Sequence, residues 1–166
     1  HSTILDAQQK GFGLYFRGNN LKFNISLERL IVRNANNTAE GGAIHASGLR
    51  GTLKLNSVGL INNYSASSGA AIYCDEVWKL EVSDSSIARN LGPATVHFLG
   101  GSMHWEKVKF EENKAPSAYL LLFDFKATPG FVLDGAALII KNSIFRRNIT
   151  QYASAFWLLT PSLVLE

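Results

Sequence analysis

Apolar and polar positions along this chain recur in a fixed phrase, without helical spacing. An apolar residue is followed by two polar or variable residues and then asparagine. The phrase occurs at Ile31-Val32-Arg33-Asn34, Leu60-Ile61-Asn62-Asn63, Ile87-Ala88-Arg89-Asn90, Phe110-Glu111-Glu112-Asn113 and Phe145-Arg146-Arg147-Asn148. Its asparagines fall 29, 27, 23 and 35 residues apart, a period that marks stacked repeat architectures. Ten and eight residues before the anchor stand Leu53 and Leu55, Leu80 and Val82, Met103 and Trp105, and Leu138 and Ile140. The residues between them are Lys54, Glu81, His104 and Ile139, so the pattern is that of a strand with one buried face. The third core position is the apolar residue of the phrase itself. The first copy fits with a one-residue slip, through Phe23, Ile25 and Leu27.

A second patch follows each anchor: Gly42-Ala43-Ile44-His45, Ala70-Ala71-Ile72-Tyr73, Ala94-Thr95-Val96-His97, Ala118-Tyr119-Leu120-Leu121 and Ser154-Ala155-Phe156-Trp157. Each opens on a small residue and holds a large apolar one, and turn-rich links separate the patches. Two or three very short strands per repeat fit one coil of a parallel β-helix, in which each coil pairs the strand edges of the next. The spacing predicts five to six coils, all-β, forming one segment over 1–166 and a rod about 25–30 Å long. Asn34, Asn63, Asn90, Asn113 and Asn148 are expected as turn and ladder anchors. Asparagine tolerates the left-handed backbone of a sharp corner, and stacked amides hydrogen-bond from coil to coil.

Composition narrows the function. Only 17% of residues are charged and the formal charge is +3. Lys and Arg are scattered, whereas a nucleic-acid binder clusters them on one face; nucleic acid is not expected as a partner. No apolar run approaches the ~18 residues of a transmembrane helix. Cys74 is the one cysteine; it excludes a disulfide scaffold and reads as a packed thiol or a link to another chain. The chain opens on His1-Ser2-Thr3 and closes on the strand-like Leu163-Val164-Leu165, which reads as a piece of a longer polypeptide or a mature product.

Gly41-Gly42-Ala43-Ile44, the near copy Ser68-Gly69-Ala70-Ala71-Ile72, and the FxxN phrases ending at Asn113 and Asn148 give a family resemblance. Over roughly Leu27 to Trp157 the chain resembles the GGAI/FxxN repeats of chlamydial polymorphic outer-membrane proteins, and similar extracellular repeats of protists and algae. That group is similar to the pectate-lyase-like right-handed β-helices. The resemblance implies a right-handed parallel β-helix and a surface role, as adhesin or passenger. It also raises the alternative of a carbohydrate-active enzyme.

Glycoside hydrolysis needs two carboxylates about 5–10 Å apart. Asp84 lies on a body position with no second acid in its column, and Asp124 opens the longest insert, Asp124 to Ala136. Glu111 and Glu112 are followed one coil on by Arg146 and Arg147, a charge pairing between coils. His45, His97 and His104 lack metal spacing, so no metal, cofactor or catalytic residue is expected. A possible binding column is His45, Tyr73, His97 and Trp157, with Leu121 or Leu122 between, all outward if Ile44, Ile72, Val96 and Phe156 point inward. Such a row suits a sugar or protein ligand, or packs beneath the insert or a neighbouring chain. N-glycosylation sequons stand at Asn24, Asn36, Asn63 and Asn148; sugar at Asn63 or Asn148 conflicts with a buried ladder there. The reading is an extracellular, N-glycosylated structural rod that continues into further coils of its own chain or assembles with copies of itself, with a glycan-binding module or polysaccharide enzyme as rival.

Overall fold

The computed structural model describes residues 2–116, 119–125, 137–150, 156–159 and 163–165, with backbone alone for 124, 125, 156–159 and 163–165. The described residues are all-β, in parallel pairs from coil to coil. Three faces alternate along the chain. The first stacks Thr3–Asp6, Leu30–Arg33, Gly59–Ile61, Ser86–Ala88, Lys109–Glu111 and Ile144–Arg146. The second stacks Leu14–Arg17, Ile44–Ser47, the starts of Ile72–Ser83 and Val96–Glu106, Leu121–Phe125 and Phe156–Leu159. The third stacks Ile25–Glu28, Thr52–Asn56, the ends of those two long strands, Leu138–Lys141 and Leu163–Leu165. The fold is therefore a parallel β-solenoid. Residues 3–106 carry about four turns without interruption, fewer than the five to six expected, and strands of further rungs follow. No described helix is long and apolar enough to cross a membrane.

The alternation read from the sequence places the core. Ile25, Leu53, Leu80, Met103 and Leu138 form one inward column; Leu27, Leu55, Val82, Trp105 and Ile140 form the next. From Leu53 and Leu55 onward these side chains are at most 5% exposed. On the first face the column is Val32, Leu60, Ile87, Phe110 and Phe145. Large rings gather toward the later turns. Phe98 and Phe123 stack with centroids 5.4 Å apart, in the column that holds Phe16, Ala46 and Cys74 in earlier turns. Gly100 makes room for them: a Cβ there would stand 2.6 Å from the Phe98 ring and 2.1 Å from the Val77 carbonyl oxygen. Cys74 is fully buried in this column, a packed thiol.

The first repeat needs correction. Val32, not Ile31, pairs with Leu60, and Ile25 and Leu27 pair with Leu53 and Leu55. The strands run in register without a slip; the misplaced element is the anchor. Arg33 pairs with Ile61, so Asn34 falls opposite Asn62, and Ala35 occupies the slot opposite Asn63. Asn34 does occupy a left-handed corner, as expected of an anchor, but in the later turns that corner falls on the residue before the anchor. Asn34, Asn62, Arg89, Glu112 and Arg147 have φ of 54–57°, and the asparagines that follow are not among the left-handed residues. A second left-handed corner stacks Arg29, Ser57, Asp84, Lys107 and Asn142, with φ of 47–56°.

Candidate functional site

The anchors build a ladder through the interior of one corner. Asn63 Nδ2 donates to Asn90 Oδ1 at 3.0 Å, Asn90 Nδ2 to Asn113 Oδ1 at 3.0 Å, and Asn113 Nδ2 to Asn148 Oδ1 at 3.1 Å. The second amide hydrogen of each reaches back to the preceding turn. Asn63 donates to the Val32 carbonyl, Asn90 to Leu60 and Asn113 to Ile87, at 2.9–3.2 Å; Asn148 donates to Phe110 at 2.8 Å. Each Oδ1 also accepts the backbone N–H of the preceding anchor, and Asn63 Oδ1 accepts that of Ala35 at 3.1 Å. Asn63, Asn90 and Asn113 are at most 1% exposed. A buried amide is tolerated only when its donors and acceptors are matched, and here both hydrogens and the oxygen are used. Asn34 stands outside the ladder and donates to Asp6 Oδ1 at 3.1 Å.

The outward row on the second face is a second continuous structure. His45, Tyr73 and His97 pair in register, followed by Leu122 and then Trp157. Leu122, not Leu121, is the member from that turn; Leu121 is buried in the core. The side chain of Trp157 lies outside the described residues, as does the insert from 126 to 136. Ring centroids are 5.0 Å apart for His45–Tyr73 and 5.2 Å for Tyr73–His97, the latter edge-on. The row extends further than the sequence reading placed it. Tyr15 stacks on His45 at 4.8 Å, and Phe12 lies 5.2 Å from Tyr15. The signal was present: Gly13-Leu14-Tyr15 echoes Ala43-Ile44-His45, but no asparagine phrase precedes it.

Backbone and hydroxyl groups fix the two imidazoles. His45 Nδ1 donates to the Glu40 carbonyl at 3.0 Å, and His97 Nδ1 is 2.7 Å from Ser68 Oγ. Burial, then the charges of Asp75 and Glu40, push the Tyr73 phenol up to about 12. Tyrosine ordinarily titrates near 10, so the folded state favours the neutral phenol. That contribution to stability is complete below about pH 10 and is lost as pH rises to about 12. An absorbance titration of phenolate should show one late-ionising tyrosine that Tyr73→Phe removes; a curve unchanged by the substitution would contradict this. Two residues along each strand runs a polar row, Arg17, Ser47 and Asp75. It borders an open cleft of about 420 Å³ lined by Arg17, Asn19, Asn20, Ser47, Gly48, Asp75 and Glu76.

The first face carries charge. Glu111 pairs with Arg146 at 2.8 Å, Glu112 with Arg147 at 3.5 Å and with Arg89 at 4.0 Å, and Asp6 with Arg33 at 2.9 Å. The Arg146 hydrogen bond holds the Glu111 carboxyl below the usual range. Asp84 sits at a left-handed corner between Ser57 and Lys107, with no acid beside it in that column. The side chain of Asp124 lies outside the described residues. Among the described residues no group of three His, Cys, Asp or Glu could hold a metal ion.

The four sequons fall in different surroundings. Asn24 and Asn36 are exposed, and Asn24 Oδ1 accepts the Thr52 N–H at 2.9 Å. Asn63 is inside the ladder and Asn148 forms its last described rung. Asn24 precedes a third-face strand, whereas Asn36 lies beyond the first face, so they occupy different edges of the solenoid.

Comparison with known protein families, with curated proteins and with solved structures gives no match for this chain. The parallel solenoid is observed directly, and the likeness to polymorphic outer-membrane repeats rests on the quoted motifs.

Proposed function

We propose that this chain is a structural segment of an extracellular surface glycoprotein, a stiff β-solenoid rod serving as stalk, coat, fibre component or adhesive surface. The observation that carries this reading is the buried amide ladder. It ties the turns of Asn63, Asn90, Asn113 and Asn148 together by three hydrogen bonds per step in a buried interior, where such bonds strengthen one another, and it gives that stack resistance to bending and shear. A surface poor in charge and the sequons at Asn24 and Asn36 support an extracellular place for it. Further coils of the same chain, or second copies, would join through strand edges. Antibodies to the chain should label intact, unpermeabilised cells or their matrix, and the purified chain should release no new sugar ends from acidic polysaccharides. Turnover abolished by Asp84→Asn or Asp124→Asn would replace this reading with that of a polysaccharide enzyme.

A second reading, a glycan-binding surface, is favoured by one feature: a row of rings about 5 Å apart beside the polar row of Arg17, Ser47 and Asp75. Saccharides bind where an apolar ring meets hydrogen-bonding groups. Trp157→Ala should then weaken binding on a glycan array while leaving the circular-dichroism spectrum unchanged.

A further inference from the structure

Two of the four sequons face solvent with every atom that glycosylation requires, and a third has all of them consumed by the fold. N-glycosylation forms a bond between the side-chain amide nitrogen and C1 of a sugar. The C1–O bond to a lipid pyrophosphate donor breaks, the lipid pyrophosphate leaves, and one amide proton passes to a base on the transferase. The product keeps Oδ1 and one N–H. It needs room for a bulky polar group at Nδ2, and the sequon hydroxyl two residues on must be available during transfer.

At Asn24 these conditions coexist with the fold. The residue is exposed, its Oδ1 bond to the Thr52 N–H uses the oxygen that survives modification, and Ser26 is exposed as well. At Asn36 the amide is exposed, its Nδ2 contact with Gln9 Oε1 is a long 3.3 Å, and Thr38 is exposed. Asn63 is the opposite. Its Nδ2 donates to both Val32 O and Asn90 Oδ1, at 3.2 and 3.0 Å, so no hydrogen is spare. The residue is 1% exposed. Its sequon partner Ser65 is 0% exposed, with the hydroxyl donating to the Ala39 carbonyl at 2.7 Å.

We infer that Asn24 and Asn36 are the N-glycan attachment sites of the folded chain, and that sugar on Asn63 and closure of the ladder exclude one another. This rests on the extracellular glycoprotein reading, and it adds that transfer at Asn63 diverts a chain from folding. Sugar there would break at least one of two buried hydrogen bonds and force a polar group into a filled corner, both of which a native interior rejects.

The test is secretion of the full chain from a eukaryotic host, with separation of the monomeric, protease-resistant pool from the retained or aggregated pool. Intact glycopeptide mass spectrometry then gives occupancy at each site. In the folded pool Asn24 and Asn36 should carry sugar in most molecules, and Asn63 in roughly tenfold fewer. A parallel chain with Leu60→Asp, which places a charge in the core and cannot close, separates the fold from the local sequence. There Asn63 should take sugar as readily as Asn36. Folded monomer carrying sugar at Asn63, bare Asn24 and Asn36 in folded chains, or an Asn63 still bare in the Leu60→Asp chain would each overturn the inference. Failure of the glycoprotein reading shows separately, as bare Asn24 and Asn36 in native material while the host-secreted chain behaves as expected.

Discussion

Asn90→Ala should destabilise the solenoid by about 3–5 kcal/mol, among the largest effects of any polar substitution in the chain. Asn90 sits mid-ladder and is 0% exposed. Its loss strands the Asn63 backbone N–H and one Asn63 amide hydrogen, both of which donate to Asn90 Oδ1 at 3.0 Å. It also removes the donors to Asn113 Oδ1 and to the Leu60 carbonyl. Each orphaned buried group costs about 1–3 kcal/mol, and water cannot reach the corner to replace the partner. Asn90→Asp should do worse at neutral pH: a carboxylate accepts from Asn63 but presents only lone pairs to Asn113 Oδ1 and the Leu60 oxygen. Asn34→Ala is the control. It matches the same sequence phrase but lies outside the ladder, with an exposed bond to Asp6 and a φ of 57° that alanine adopts less readily, so the loss should be about 1–2 kcal/mol. Urea denaturation of the three variants reads the difference. Equal losses for Asn34→Ala and Asn90→Ala would mean that the corner turn, not the ladder, carries the stability.

That contrast also marks how far the sequence could be read. The repeat period, the paired apolar positions before each anchor and the outward row at His45, Tyr73 and His97 were legible because a strand forces alternation, and stacking forces equivalent residues into columns. Asn34 misleads because Ile31 and Val32 are both apolar and either could fill the core slot, while only the Ile31 frame ends on asparagine and the Val32 frame ends on Ala35. Only the offset to Ile25 and Leu27 distinguishes them, and it reads first as a strand slip. In the later turns the left-handed corner lies one residue before the place expected, and from Arg89 onward nothing local marks it. Arg89, Glu112 and Arg147 adopt φ of 54–56° without the Gly or Asn that ordinarily signals this region. They do so because the flanking ladder and strands on both sides fix the chain's path, and no sequence propensity reports that constraint. Tyr15 and Phe12 escape for a related reason: the row is indexed from the anchor asparagines, and none precedes the Tyr15 strand.

The second large effect is expected in the apolar interior, at Trp105. The side chain is 0% exposed, and its ring lies 5.6 Å from Phe110 and 5.9 Å from Phe145, nearly parallel to the latter. Trp105→Ala removes the centre of this cluster, and collapse around the gap is resisted because Phe110 is held by strand pairing on both sides and Phe145 by pairing to the Phe110 strand. A loss of about 3–5 kcal/mol follows from transfer and cavity terms together. Trp105→Phe separates shape from polarity. The indole Nε1 is buried without a hydrogen-bond partner among the described residues, an arrangement that costs about 1–3 kcal/mol. Phenylalanine loses part of the packed surface but removes that orphan donor, so the two effects should offset to within about 1.5 kcal/mol of the parent. Thermal melts of the two variants, followed by near-ultraviolet circular dichroism, decide between them. A Trp105→Phe protein as unstable as Trp105→Ala would show that the full indole outline, and not burial of a ring as such, holds the later turns in register.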